Sequence, residues 1–368
     1  MSHQKIFKTA AILLILVLVV IILVFAKPFL VPVVIAALLA VLLLPVAKWL
    51  ESKGFNQIVS ITLSLFLLLG FIFLLSGLVA WQIADVSEKS DEIKTQLSEK
   101  YEQAQEFIID KLGISKETQK RINSQQESSA PGKINSMVMS ILSGLGGILT
   151  DMILVFVYIF MFILFRGYFK RFILRLVPPA DEANTREVIK KAQKVAQKYL
   201  SGLSLMIVIL WIMYGIGFSI AGVENAVFFA VICGLLEIVP FVGNLLGTGL
   251  TLVMTMVQGG DTNTILAIIF TYGFIQFVQT YIIEPLVVGA EVNINPLFTI
   301  MGLVAGELVW GIPGMVLAIP VMGITKIVFD HVEQLQPYGE LMGQDKKEKN
   351  SGFKKKVTAL VQKVRNRF

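Results

Sequence analysis

Uncharged apolar runs of 18 to 24 residues recur along this chain, at Thr9 to Ala26, Phe29 to Ala47, Ile58 to Trp81 and Leu200 to Ala221. An α-helix needs roughly 18 to 20 such residues to cross a hydrocarbon core of about 30 Å, so the pattern specifies a polytopic membrane protein. Only 16% of the 368 residues are charged, and 44 of those 58 fall in three blocks at 85–133, 166–198 and 330–368. Average soluble domains carry about 25% charge, well mixed. This composition excludes collagen-like, disordered and disulfide-scaffold classes. The one cysteine, Cys233, lies in an apolar run and has no intrachain partner. The first run follows Lys5 and Lys8 and resembles a signal peptide in outline, but it lacks a small-residue cleavage site and reads as a retained span.

Spans one and two meet at Lys27-Pro28, where the sequence predicts a tight hairpin. Span four ends at Phe165 after a Gly-rich lead-in, and span five is Leu200 to Ala221. From Val227 to Val257 the apolar pattern is broken by Glu237, Pro240, Gly243 and Asn244, leaving arms of about 14 residues, or about 21 Å each as helix. A full span follows from Ile265 to Ile283. A second broken unit runs from Leu297 to Val328, interrupted around Glu307, Gly311, Pro313 and Gly314. Two Gly- and Pro-interrupted apolar units in comparable positions point to a transporter site built from re-entrant or discontinuous helices. The expected fold is therefore all-α and polytopic, with about six full spans, two interrupted hairpins and roughly eight membrane segments.

Lysine and arginine bias sets the expected orientation. With the N-terminus inside, segments 1–8, 48–56, 166–198 and 326–368 carry +2, +1, +6 and +5, while Lys27 carries +1 and 82–135, 222–225 and 258–263 carry −2, −1 and −1 outside. This predicts a multi-pass membrane protein with both termini cytoplasmic. The expected organisation is a scaffold at 1–84, an extracytoplasmic amphipathic helix and linker at 85–135, span four at 136–165, a basic loop at 166–198, a transport region at 199–329 and a basic tail at 330–368. The outer helix is read from Ile93, Leu97, Tyr101, Ala104, Ile108 and Leu112. In the tail, Phe353, Val357, Leu360, Val361, Val364 and Phe368 face one side among lysines and arginines, a pattern suited to an anionic inner leaflet.

No lysine or arginine occurs from Tyr199 to Thr325, whereas Glu224, Glu237, Asp261, Glu284, Glu291 and Glu307 all do. An ionisable group inside a membrane faces a watery cavity, holds a cation or stays protonated. Glu237 and Glu307, within the two broken units, rank first as proton- or cation-coupling groups, with Glu284 and Glu291 next. Capping a helix end at its break or cross-linking helices is the structural alternative for each. Tyr272, Gln276, Thr280 and Glu284 recur every four residues with Gln279 beside them, a polar stripe suited to a hydroxyl-rich solute or a partly hydrated ion, or to interhelical hydrogen bonds. Asn244, Asn293 and Asn295 join it as path residues, and Pro240, Gly243, Pro313 and Gly314 as the breaks. Gly243 with Gly247, and Gly302 with Gly306, have the spacing of close helix contact. Enzyme motifs are absent from the sequence: no HExxH, CxxC or GxxxxGK occurs, and both histidines lie outside the apolar segments.

Leu-Leu-Glu-Ile-Val-Pro-Phe-Val-Gly at 235–243, Glu-Pro, Gly and Asn-Pro within 279–296, and Gly-Ile-Pro-Gly-Met within 297–320 together resemble the autoinducer-2 exporter family of bacterial permeases. The resemblance extends from span one to about His331. It departs at Arg166-Gly167, where an acidic residue is expected before the glycine. It implies about eight membrane segments, a homo-oligomer and export of small solutes, autoinducer-2 in some members, with sodium or lithium/proton antiport in others. The expected activity is thus proton-coupled export of a small hydrophilic solute or monovalent cation, without cofactor, resident metal or nucleic acid. A channel and a structural assembly factor of the envelope are the rival classes.

Overall fold

The computed structural model describes residues 3–88, 152–239, 242–287 and 294–343. The expected outer helix around 93–112, the start of span four and the basic tail helix at 353–368 lie outside these residues. Backbone groups in a bilayer must be satisfied within the segment, and the described residues are accordingly helical, with one isolated bridge between Ile294 and Gly343.

The helices are α1 (His3–Phe25), α2 (Lys27–Ser52), α3 (Gln57–Glu88), α4 (Met152–Leu164), α5 (Arg166–Arg175), α6 (Glu182–Ile220), α7 (Ala226–Leu236), α8 (Val242–Val257), α9 (Thr262–Val278), a π-helical turn Gln279–Ile283, α10 (Glu284–Val287), α11 (Pro296–Trp310), α12 (Ile312–His331) and α13 (Gln336–Met342). Among the described residues, five segments are long and apolar enough to cross a membrane: Lys27–Ser52, Gln57–Leu78, Pro179–Ile220, Thr262–Ile283 and Ile312–His331. A sixth is obtained if α4 and α5, bent by 65° at their junction, form one span. The protein is an all-α polytopic membrane protein, as the apolar runs predict.

Three local differences from expectation have simple causes. No separate loop joins α1 to α2. The chain passes through Ala26 alone, with Ala26 N–H bonded to the Ile22 carbonyl (2.8 Å) and Leu30 N–H to the Ala26 carbonyl (2.8 Å). Pro28 sits in the first turn of α2, where a missing N–H costs nothing. Span five is the apolar half of a 39-residue helix that begins at Glu182, so most of the basic loop is helical. In the second broken unit the break is at Gly311 (φ +69°). Pro313 and Gly314 fall in the first turn of α12, which is 20 residues long and spans on its own.

By contact the chain divides into two compact units. One comprises 32–166 and 201–288. Its core has two clusters: Ala36, Ala40, Leu43 and Ala47 of α2 with Ile61 of α3 and Ile159 and Ile163 of α4, and Leu210, Tyr214 and Phe218 of α6 with Phe229, Ala230 and Cys233 of α7 and Ile268 and Ile275 of α9. Small side chains every three or four residues let helices approach closely where no hydrophobic effect drives them together. Asn56 caps α3 by accepting from Val59 N–H (2.8 Å), and Gln57 Nε2 donates to the Leu164 carbonyl (3.1 Å). Arg166, at the departure from the family pattern, pairs with Glu51 at 2.8 Å.

The other unit comprises 1–31, 167–200 and 289–368. Its centre is the α11–α12 hairpin, where Gly306 and Gly314 meet backbone to backbone and a side chain on Gly302 would strike Met322. Trp310 Nε1 donates to the Leu23 carbonyl of α1 (2.9 Å). Asn295 N–H bonds to the Met342 carbonyl (2.8 Å), tying the start of α11 to the end of α13. The exposed faces of α1 and α11 are apolar: Leu13 to Val20 of α1 and Ile300, Met301, Val304 and Leu308 of α11 are exposed, an arrangement suited to lipid.

Candidate functional site

The site is built where α7 stops. The arms α7 and α8 have 11 and 16 residues, about 16 and 24 Å, so neither crosses a core of about 30 Å. They pack as a hairpin through glycine. A side chain on Gly247 would come within 2.9 Å of Cys233 Cα, and one on Gly243 would strike the Leu236 carbonyl, so the four-residue spacing marks a close contact as expected. Glu237 is the first residue past α7, its N–H still bonded to the Cys233 carbonyl (3.1 Å). Pro240 lies outside the described residues.

Facing this break is α9 and its π-helical turn. One extra residue in that turn rotates the downstream residues about the helix axis, so the four-residue stripe does not continue along one face. Gln279 is buried at 4% exposure and its Nε2 donates to Glu237 Oε1 at 2.5 Å, while Thr280 and Glu284 are exposed. Upstream, Tyr214 Oη donates to Asn244 Oδ1 (2.8 Å), Asn244 Nδ2 to Gln276 Oε1, and Gln276 Nε2 to Thr280 Oγ1 (3.3 Å). Tyr272 is half-buried one turn before Gln276. The structure thus brings Glu237, Asn244, Gln276, Gln279 and Thr280 together across the hairpin and α9.

Glu237 Oε2 and Gln279 Oε1 are buried and have no hydrogen-bond partner among the described residues. A buried polar atom without a partner costs about 1–3 kcal/mol. Both are acceptors, so the arrangement offers two oxygens to a proton, a cation or a donor group. Among the described residues no three of His, Cys, Asp or Glu converge as metal ligands.

Sequence reasoning missed two features. Tyr214, fully buried in α6, starts the donor chain, and its only signal was a hydroxyl in the middle of an apolar span. The second is a buried polar line along α8: Asn244, Thr248, Thr251 and Thr255 are all under 6% exposed and recur at intervals of four, three and four. Gln258 continues it, and Thr255 Oγ1 and Gln258 Oε1 are also without partners among the described residues. Threonine scores near neutral on hydropathy, so the heptad spacing was the one available clue.

The remaining sequence candidates are placed elsewhere. Glu291 and Asn293 are outside the described residues. In the second unit Glu307 is exposed on α11, its backbone carbonyl accepting from Gly311 N–H (2.7 Å). Asn295 caps α11, its Oδ1 accepting from Leu297 N–H (2.9 Å), and Pro313 and Gly314 start α12.

A profile described as "AI-2E family transporter" matches residues 13–334, nearly the whole chain. The chain belongs to the AI-2E transporter family. Its relatives include "Putative transport protein YrrI" of Bacillus subtilis, 24% identical with 83% of this chain and 87% of the relative covered. YueF of the same organism, under the same designation, is 26% identical over 84% of this chain and 87% of its own. YhhT of Escherichia coli K12, again so designated, is 24% identical over 82% and 84%. AI-2E membership and the apolar helices make this chain a multi-pass membrane protein with a transport role.

Proposed function

We propose that this AI-2E family transporter is a secondary carrier of the bacterial inner membrane that exports a small hydrophilic solute or monovalent cation against protons, with Glu237 as the coupling group. The observation that carries the reading is the Glu237–Gln279 pair, a half-buried carboxyl with one oxygen hydrogen-bonded and the other unpartnered, inside 127 residues free of lysine and arginine. A carboxylate there, with no ion pair among the described residues, is neutralised by a proton or by cargo and not by a salt bridge, which makes the two alternatives exclusive. Cargo leaves Glu237 as a proton arrives, and the proton leaves on the side where cargo loads. The donor chain Tyr214–Asn244–Gln276–Thr280 and the polar line of α8 supply hydrogen-bonding groups along the way. The charge bias supports a cytoplasmic location for both termini, and the family resemblance supports a homo-oligomer.

Sodium or lithium/proton antiport is the second reading, favoured by the acceptor-only character of Glu237 Oε2 and Gln279 Oε1, since hard monovalent cations take oxygen ligands. The test is purified protein in liposomes holding a pH-sensitive dye, under a proton gradient, challenged with sodium, lithium or potassium. Saturable cation-evoked proton movement that Glu237→Gln abolishes is expected for the antiporter. Silence toward all three cations moves the cargo to an organic solute, and the same assay is then run with polyhydroxylated solutes. Non-saturating conductance, or flux unchanged by Glu237→Gln, overturns the carrier mechanism in favour of a channel or a structural envelope protein.

A further inference from the structure

Helix α5 and the first turns of α6 form an open surface cleft of about 420 Å³ lined by Lys170, Arg171, Leu174, Arg175, Glu182 and Arg186. Four of these six side chains are cationic. Glu182 already pairs with Arg186 at 2.6 Å, whereas Lys170, Arg171 and Arg175 have no ion pair among the described residues. Three unmatched cations around one concavity select a compact, multiply acceptor-bearing anion. A guanidinium grips a phosphate through two parallel N–H donors, and two guanidiniums with an ammonium can surround one.

The other side of the same helix indicates what carries that phosphate. At about 100° per residue, Tyr168, Phe169, Phe172 and Ile173, with Leu176 just past the end, fall together on the side away from Lys170 and Arg171, and all five are exposed. A short helix with aromatics on one side and lysine and arginine on the other lies in the interfacial plane of a bilayer. Its apolar side is then at acyl-chain level and its basic side at headgroup level. We propose that the α5–α6 elbow binds the headgroup phosphate of an anionic phospholipid of the leaflet that the charge bias makes cytoplasmic. The phosphate sits between Lys170, Arg171 and Arg175, and the acyl chains run along Phe169 and Phe172. This site is separate from the Glu237 site and does not depend on the transport reading.

The full-length protein, extracted from membranes of mixed phosphatidylglycerol and phosphatidylcholine, is examined by native mass spectrometry for retained lipid. Wild type is expected to retain phosphatidylglycerol at least about tenfold over phosphatidylcholine, and a Lys170→Gln, Arg171→Gln, Arg175→Gln triple variant to lose that preference. Lys190→Gln with Lys194→Gln, which removes two exposed cations of α6 outside the cleft, is expected to keep it. Phe169→Ser with Phe172→Ser is expected to lower retention several-fold while both lipids are still discriminated. All substituted side chains are exposed, and circular dichroism checks that helicity is unchanged. Equal retention by wild type and the triple variant, or an equal loss in the Lys190/Lys194 control, overturns the proposal as diffuse charge. Full displacement of phosphatidylglycerol by inorganic phosphate, with no effect of the phenylalanine substitutions, overturns it in favour of a free-phosphate site.

Discussion

The two hairpins of this chain use similar residues for different ends. Each has a short first arm, α7 with 11 residues and α11 with 15, each packs arm against arm through glycines four apart, and each carries a glutamate near its break. Around α7–α8 the interior is polar: Glu237 meets Gln279, Asn244 meets Tyr214 and Gln276, and threonines line α8. Around α11–α12 the contact is glycine on glycine and glycine on methionine, and Glu307 is exposed. The difference lies in the partner helix. Beside α7–α8, α9 and its π-turn bring the Gln279 amide to the carboxyl, whereas the α11–α12 pair supplies backbone. A glutamate at a helix break gains a polar setting only where a neighbouring helix supplies one.

The sharpest way to break this comparison is to exchange the charge at both glutamates. Glu237→Gln is expected to reduce coupled proton flux by about 100-fold or more, because it removes the group proposed to take proton and cargo by turns. Glu307→Gln is expected to leave flux within about twofold of wild type. Dye-loaded liposomes read both, and a larger loss at Glu307 than at Glu237 would reverse the assignment of the two hairpins.

Packing gives the next effect, in the opposite order. Gly306→Leu forces apart two backbones already in contact and is expected to cost about 1–3 kcal/mol, read as a lowered unfolding midpoint in detergent. Thr251→Val on α8 removes a hydroxyl that donates to the Gly247 carbonyl of its own helix at 2.9 Å and lies 3.8 Å from Cys233 Sγ of α7, and is expected to shift that midpoint less. Third, cutting the donor chain should affect transport and spare stability. Gln276→Leu leaves Asn244 Nδ2 buried without its acceptor and is expected to lower flux about tenfold, and Tyr214→Phe about threefold, with apparent affinity for cargo shifting in the same assay.

Much of the fold was legible because bilayer crossing imposes a length and a charge rule that a sequence displays directly. The spans at α2, α3 and α9, the short arms of the first hairpin, and the close contacts at Gly243/Gly247 and Gly302/Gly306 were all readable from spacing. The continuous α6 was not, since its charged half reads as a loop and its apolar half as a separate span. The π-turn was hidden for a different reason. A four-residue stripe assumes 3.6 residues per turn, whereas the π-turn Gln279–Ile283 breaks that period, and it is Gln279, which stood beside the stripe, that reaches the carboxyl. Arg166 was legible as a departure but not as a partner of Glu51, because the two lie 115 positions apart.

The smallest expected effect sharpens the comparison at the helix caps. Helix α9, which carries Gln276, is capped by Asp261, whose Oδ1 accepts from Thr264 N–H (2.8 Å) and Thr264 Oγ1 (2.7 Å). Helix α11 is capped by Asn295, which does not titrate over this range. The hydroxyl and then the amide of Thr264 hold the Asp261 carboxyl below its ordinary value. A carboxyl depressed in the folded state contributes stability that is present above the unfolded value of about 3.9 and is lost as pH falls through the lower folded value. Amide exchange at Thr264, corrected for the intrinsic rate, is therefore expected to lose protection below about pH 4 in wild type and not in Asp261→Asn, which keeps an acceptor but cannot be protonated. Protection at Leu297, under the asparagine cap, should stay level across the same range in both proteins. If Thr264 and Leu297 lose protection together, acid is loosening the fold as a whole, and the two caps do not act independently.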